Sequence, residues 1–193
     1  MRWMKMTTII CSVMAVMAGA FQAQAQTSSP SGRRTTPPAG TWAGGLDVGF
    51  ANPLGDDEFD AEPTFDGYLE YFSTPHVSWR GMLAFTAFEG PDVPGLGGDD
   101  VDIAALTGNV LYQWEGGTVH PFVTGGVGVY NYDPDLDDDG DFEPGLNGGG
   151  GLNVYAADRF AIKFEGLFHV TDGREPDSYL SGTIGARWLW GGR

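Results

Sequence analysis

The sequence predicts an all-β fold: an eight-stranded antiparallel up-and-down barrel that crosses a membrane on its strands. Three observations predict it. After Thr41 no helical stripe persists, and segments of about ten residues alternate apolar with polar or small side chains. The connections between them alternate between brief turns and long acidic stretches. The five tryptophans after position 40 all fall on the apolar face, near the short-turn ends of their segments.

The chain starts with a targeting pattern. Arg2 and Lys5 give a positive start, Thr7 to Phe21 is a short apolar run, and Ala23-Gln24-Ala25 supplies a small-x-small cleavage pattern. This reads as a secretory signal over residues 1–25, because the 15 residues of the run fall short of the roughly 20 a helical span needs. The single cysteine, Cys11, lies within it, so the remaining chain has no disulfide, thiol nucleophile or Cys-zinc site to offer. Residues 26–40 are Ser/Thr/Pro-rich and read as a flexible linker; the barrel occupies 41–193.

The strands are expected at 41–51, 64–73, 77–88, 103–114, 119–132, 147–157, 160–171 and 179–190. Strand one opposes Trp42, Leu46, Val48 and Phe50 to Asp47, and strand two opposes Phe65, Leu69 and Tyr71 to Asp66 and Glu70. Strand three sets Val77, Trp79, Leu83 and Phe85 against Ser78, Arg80, Ala84 and Thr86. Strand seven divides Phe160, Ile162, Phe164, Phe168 and Val170 from Lys163, Glu165, His169 and Thr171. Strand eight divides Leu180, Ile184, Trp188 and Trp190 from Ser181, Thr183 and Arg187.

A soluble barrel of lipocalin type would bury the apolar face, whereas a membrane barrel turns it to lipid. The tryptophans decide in favour of lipid. Trp42 and Trp79 open their strands, Trp114, Trp188 and Trp190 close theirs, and Tyr71, Tyr112 and Phe160 join the same ring. A bilayer interface collects amphipathic rings at one height; a soluble core has no reason to. Six charges then point inward: Asp47, Glu70 and Glu165 with Arg80, Lys163 and Arg187. Unpaired interior charge is costly, so an ion-pair network is expected, filling the interior and leaving no wide pore.

Composition removes other classes. With 10 basic against 26 acidic residues the chain repels phosphate backbones, so nucleic acid is not an expected partner. Aromatics at 13% exclude a disordered acidic chain. Twenty acidic residues lie in four long segments, 52–63, 89–102, 133–145 and 172–178.

From about Thr41 to Trp190 the chain resembles the small outer-membrane-protein β-barrel family of Gram-negative bacteria, the A- and X-type eight-stranded barrels. The resemblance rests on Pro121 to Gly128, on Gly148 to Tyr155 followed by Phe160-Ala161-Ile162-Lys163-Phe164-Glu165, and on the last strand. There, Thr183-x-Gly185-x-x-Trp188-x-Trp190 is similar to the assembly signal such barrels present to the insertion machinery. Family members usually end on the aromatic; here Gly191-Gly192-Arg193 follows. The resemblance implies an outer-membrane location, contact with outer-membrane lipid and handling by the barrel-assembly machinery; the acidic segments suit divalent cations that bridge lipopolysaccharide, and a monomer is expected although the sequence does not fix the oligomeric state.

Two candidate sites remain. Asp135, Asp137, Asp139, Asp141 and Glu143 match the first half of a calcium loop, with oxygen donors at alternate positions and Gly140 for the turn. Leu146 stands where the closing glutamate belongs, so any calcium binding is expected to be weak. His169 with Ser178 and Asp177 is the one arrangement that could support hydrolysis, against a plain reading of His169 as an interior, hydrogen-bonded histidine. The expected function is a non-enzymatic outer-membrane barrel for envelope integrity or surface interaction. A lipid-modifying enzyme and a narrow passage for small solutes are its rivals.

Overall fold

A computed structural model describes residues 36–54, 61–88, 101–132, 141–172 and 177–192. Among them are eight strands and no helix: β1 (Thr41–Pro53), β2 (Glu62–Phe72), β3 (Val77–Phe88), β4 (Val101–Gln113), β5 (Val119–Tyr132), β6 (Asp141–Ala157), β7 (Phe160–Thr171) and β8 (Ser178–Gly191). Each pairs antiparallel with the next, and β8 returns to β1, so the sheet closes without an edge. Closure satisfies every ladder of backbone hydrogen bonds internally, which a membrane core requires.

The alternation in sequence is the alternation of faces. Leu46 is 75% exposed and Phe65 58%, while the charged Asp47 and Asp66 beside them are buried. Arg80 and Arg187 are the bulkiest of the fully enclosed side chains, at 2% and 1% exposure. Polar groups inside and hydrocarbon outside is the reverse of a soluble core, and lipid is the solvent in which it is stable.

The aromatic ring forms at the short-turn end. Trp42 is the register partner of both Tyr71 and Trp190, Tyr71 of Trp79, and Phe160 of Trp188. The rings of Trp42 and Tyr71, and of Tyr112 and Trp114, have centroids 5.0 Å apart.

Seven strands lie within two residues of their expected bounds. The exception is β6, which starts at Asp141 rather than at 147 and pairs Asp141 to Gly145 with Tyr132 to Gly128 of β5. Acids and a proline signalled a loop here, but Pro144 does not interrupt a ladder. Its carbonyl accepts from Asp172 N at 3.4 Å, so its own nitrogen faces the β7 side, past the final β6–β7 pair, Gly145 with Thr171. The last residues of the expected linker are also shaped: Gly40 N donates to Phe72 O at 2.8 Å, and Pro37 is buried.

Candidate functional site in the barrel lumen

The six charges assigned inward by alternation all reach the lumen, and the fold brings them together in pairs. Arg80 on β3 donates to both oxygens of Glu165 on β7, Nη1 to Oε2 at 2.9 Å and Nη2 to Oε1 at 2.7 Å. The two strands are four apart in a ring of eight, so this bidentate pair spans the lumen from side to side. Lys163 Nζ lies 2.6 Å from Asp47 Oδ2 and 2.6 Å from Glu165 Oε2, tying β7 to β1. Arg187 Nη2 lies 2.7 Å from Glu70 Oε1, tying β8 to β2, and Ser78 Oγ donates to the same oxygen.

Aromatic rings cover the cations. Lys163 Nζ stands 4.2 Å from the centre of the Tyr68 ring, and the Arg187 guanidinium 5.1 Å from that of Phe72. These inward aromatics are not among the residues that the sequence reading assigns to the lumen. Tyr68, midway between Asp66 and Glu70 and thus of the same parity, was nevertheless legible on that ground. Asp66 changes the expected balance of three acids and three bases. It is buried, sits opposite Asp47 in register, and has no ion pair among the described residues, which makes four carboxyl groups to three cations.

The opposite wall is different. Among the described side chains, the inward positions of β4, β5 and β6 carry one carboxyl group, Glu143 near the outer end, and one histidine, His120. The others are short polar groups such as Thr107, Asn109, Thr124, Asn147 and Asn153, apolar groups such as Leu111 and Phe122, and glycines. Asn109 Nδ2 donates to Thr107 Oγ1 at 2.8 Å, while Thr124 Oγ1 and Asn153 Oδ1 meet no protein partner among the described residues.

The proposed hydrolytic arrangement does not form. His169 Nδ1 is 3.0 Å from the Tyr130 hydroxyl, His169 Nε2 is 3.2 Å from Ser181 Oγ, and the ring stacks on Tyr179 at 4.3 Å. Ser178 turns elsewhere, donating to Leu54 O at 3.3 Å and to Asp177 Oδ1 at 3.1 Å. Parity explains this outcome: Ser181 points inward with His169, whereas Ser178 lies at the start of its strand. The other histidines serve the short turns, His76 Nδ1 3.2 Å from Gln113 O and His120 Nε2 3.0 Å from Gly117 O.

Of the calcium candidates, Asp135, Asp137 and Asp139 lie outside the described residues, and Asp141 and Glu143 belong to β6 opposite Tyr132 and Tyr130. Among the described residues no three His, Cys, Asp or Glu side chains are grouped as metal ligands.

Comparison with known proteins agrees with this architecture. Residues 11–185 match the family model of the outer membrane protein beta-barrel domain. No curated protein sequence matches the chain. The fold is similar to that of Neisserial surface protein A (TM-score 0.58, 12% identity, 78% of this chain and 97% of that one). It is also similar to OprG from Pseudomonas aeruginosa (0.57, 13%, 81% and 98%) and to Ail, the attachment invasion locus protein of Yersinia pestis (0.55, 14%, 79% and 99%).

Proposed function

The chain belongs to the outer membrane protein β-barrel family and resides in the outer membrane, and from that premise we propose that it is a closed, non-conducting and non-enzymatic barrel that displays acidic segments at the cell surface. The observation that carries this reading is the Arg80–Glu165 pair. It crosses the lumen between opposite strands, and Lys163 and Tyr68 crowd beside it. Separating this pair to admit an ion would break two hydrogen bonds between fully buried charges, which is costly. The engagement of both His169 nitrogens, by Tyr130 and Ser181, supports a packing role for the lumen's histidine over a hydrolytic one.

The long segments bear 20 acids and a single base, Arg174. Ail has been solved with the heparin analogue sucrose octasulfate. A surface of the present charge repels such a polyanion and suits cationic partners, or divalent cations that bridge lipopolysaccharide. Single-channel recording of the protein reconstituted in planar bilayers tests the closed lumen. The expected trace shows no discrete conductance steps. Regular steps that disappear when the protein is omitted would replace this reading with a narrow passage.

A further inference from the structure

Seven of the eight neighbouring strand pairs are consecutive in sequence; the pair β1–β8 joins the two ends of the barrel with no covalent connection. Its register runs from Thr41 with Gly191 to Pro53 with Tyr179. At the short-turn end of this seam three glycines adopt left-handed backbone: Gly40 (φ 83°), Gly191 (φ 71°) and Gly192 (φ 69°). They belong to two segments distant in sequence that meet in space. A Cβ on Gly192 would overlap Thr41 Oγ1 and stand 2.9 Å from Pro38 Cγ, and one on Gly191 would stand 3.4 Å from Gly40 O. The first segment is itself anchored, since Thr41 N donates to Pro38 O at 3.2 Å and Gly40 N to Phe72 O on β2 at 2.8 Å. Only glycine gives a left-handed turn together with so close an approach.

We infer that Gly191-Gly192 and the Pro38–Thr41 turn form a clasp that locks the β1–β8 seam. Gly191 and Gly192, the first residues after Trp190, thereby acquire a role in the closed barrel: the clasp needs β1, β2 and β8 already in place, so it forms last. An interaction absent from the folding transition state slows unfolding and leaves folding untouched. The clasp is independent of whether the lumen conducts.

The test measures unfolding and folding rates of the full chain in phospholipid vesicles, read by cold-versus-boiled gel mobility after transfer into and out of denaturant. Gly192→Ala is expected to unfold about tenfold faster at an unchanged folding rate. A chain truncated after Gly191 keeps every strand pair and introduces no overlap; it is expected to show the same acceleration, and it decides the matter if Gly192→Ala does not fold. Gly117→Ala is the control, because Gly117 has the same φ of 69° in the β4–β5 turn with open space around its Cβ position. If the truncated chain unfolds no faster than the full chain, or if Gly192→Ala and Gly117→Ala accelerate equally, there is no clasp. A folding rate that falls in step with the rise in unfolding would place the contact before closure and overturn the proposal as well.

Discussion

The two walls of the lumen are built on opposite principles. Strands β7, β8, β1, β2 and β3 carry the ionic network, in which three cations and three of the four carboxyl groups pair across two or four strands. Strands β4 to β6 fill their share with threonine, asparagine, aromatic rings and glycine. The charged wall is an interlocked unit, because each charge is buried and loses most of its compensation when its partner goes. The neutral wall is a set of small, separable contacts. A filled lumen therefore does not imply uniform resistance to change, and the difference can be tested residue by residue.

The largest effect is expected where the network crosses the lumen. Arg80→Ala leaves Glu165 with Lys163 alone and should cost about 3–5 kcal/mol, read as a fall in the denaturant midpoint of the folded, heat-modifiable form. Arg80→Met with Glu165→Leu removes both charges and should recover most of that loss; a double variant as unstable as the single one would break the claim that the cost is an orphaned charge. On the neutral wall the expectation is smaller. Thr124→Val keeps the shape and removes a hydroxyl that has no protein partner among the described residues, so stability should fall by less than about 1 kcal/mol. A shift as large as that of Arg80→Ala would abolish the distinction between the walls. The smallest effect concerns the outer end of the neutral wall, where β6 begins at Asp141 and Glu143. We propose weak calcium uptake by Asp135, Asp137, Asp139, Asp141 and Glu143, detected by calorimetric titration. Replacing Asp135, Asp137 and Asp139 together with Asn should abolish the heat, while magnesium should not reproduce it; an unchanged heat would assign the binding elsewhere.

Much of the barrel was legible in advance because a strand in lipid obeys one rule at every position. Period-two alternation placed Lys163, Glu165 and His169 inside and Phe164 and Phe168 outside, and the structure has them so. The same rule, applied to Tyr68, Tyr130 and Tyr155, finds the aromatic filling, since each has the parity of its strand's inward polar positions. The start of β6 was not legible, since Asp141, Pro144 and Gly145 all favour a turn locally and only β5 on one side of them makes a strand.

The sequence by itself determined the number of strands, the face each side chain takes and the height of the tryptophan ring, because these follow from local periodicity and from the solvent each face must meet. It also determined that the interior charges would be of both signs. Tertiary structure alone decided which charges pair, that Asp66 is left without a cation among the described residues, that His169 takes Tyr130 and Ser181, and that the ends of β1 and β8 interlock. Those outcomes depend on how far each strand is shifted against the next around a closed ring. Closure sums every register at once, and no single segment of sequence carries that sum.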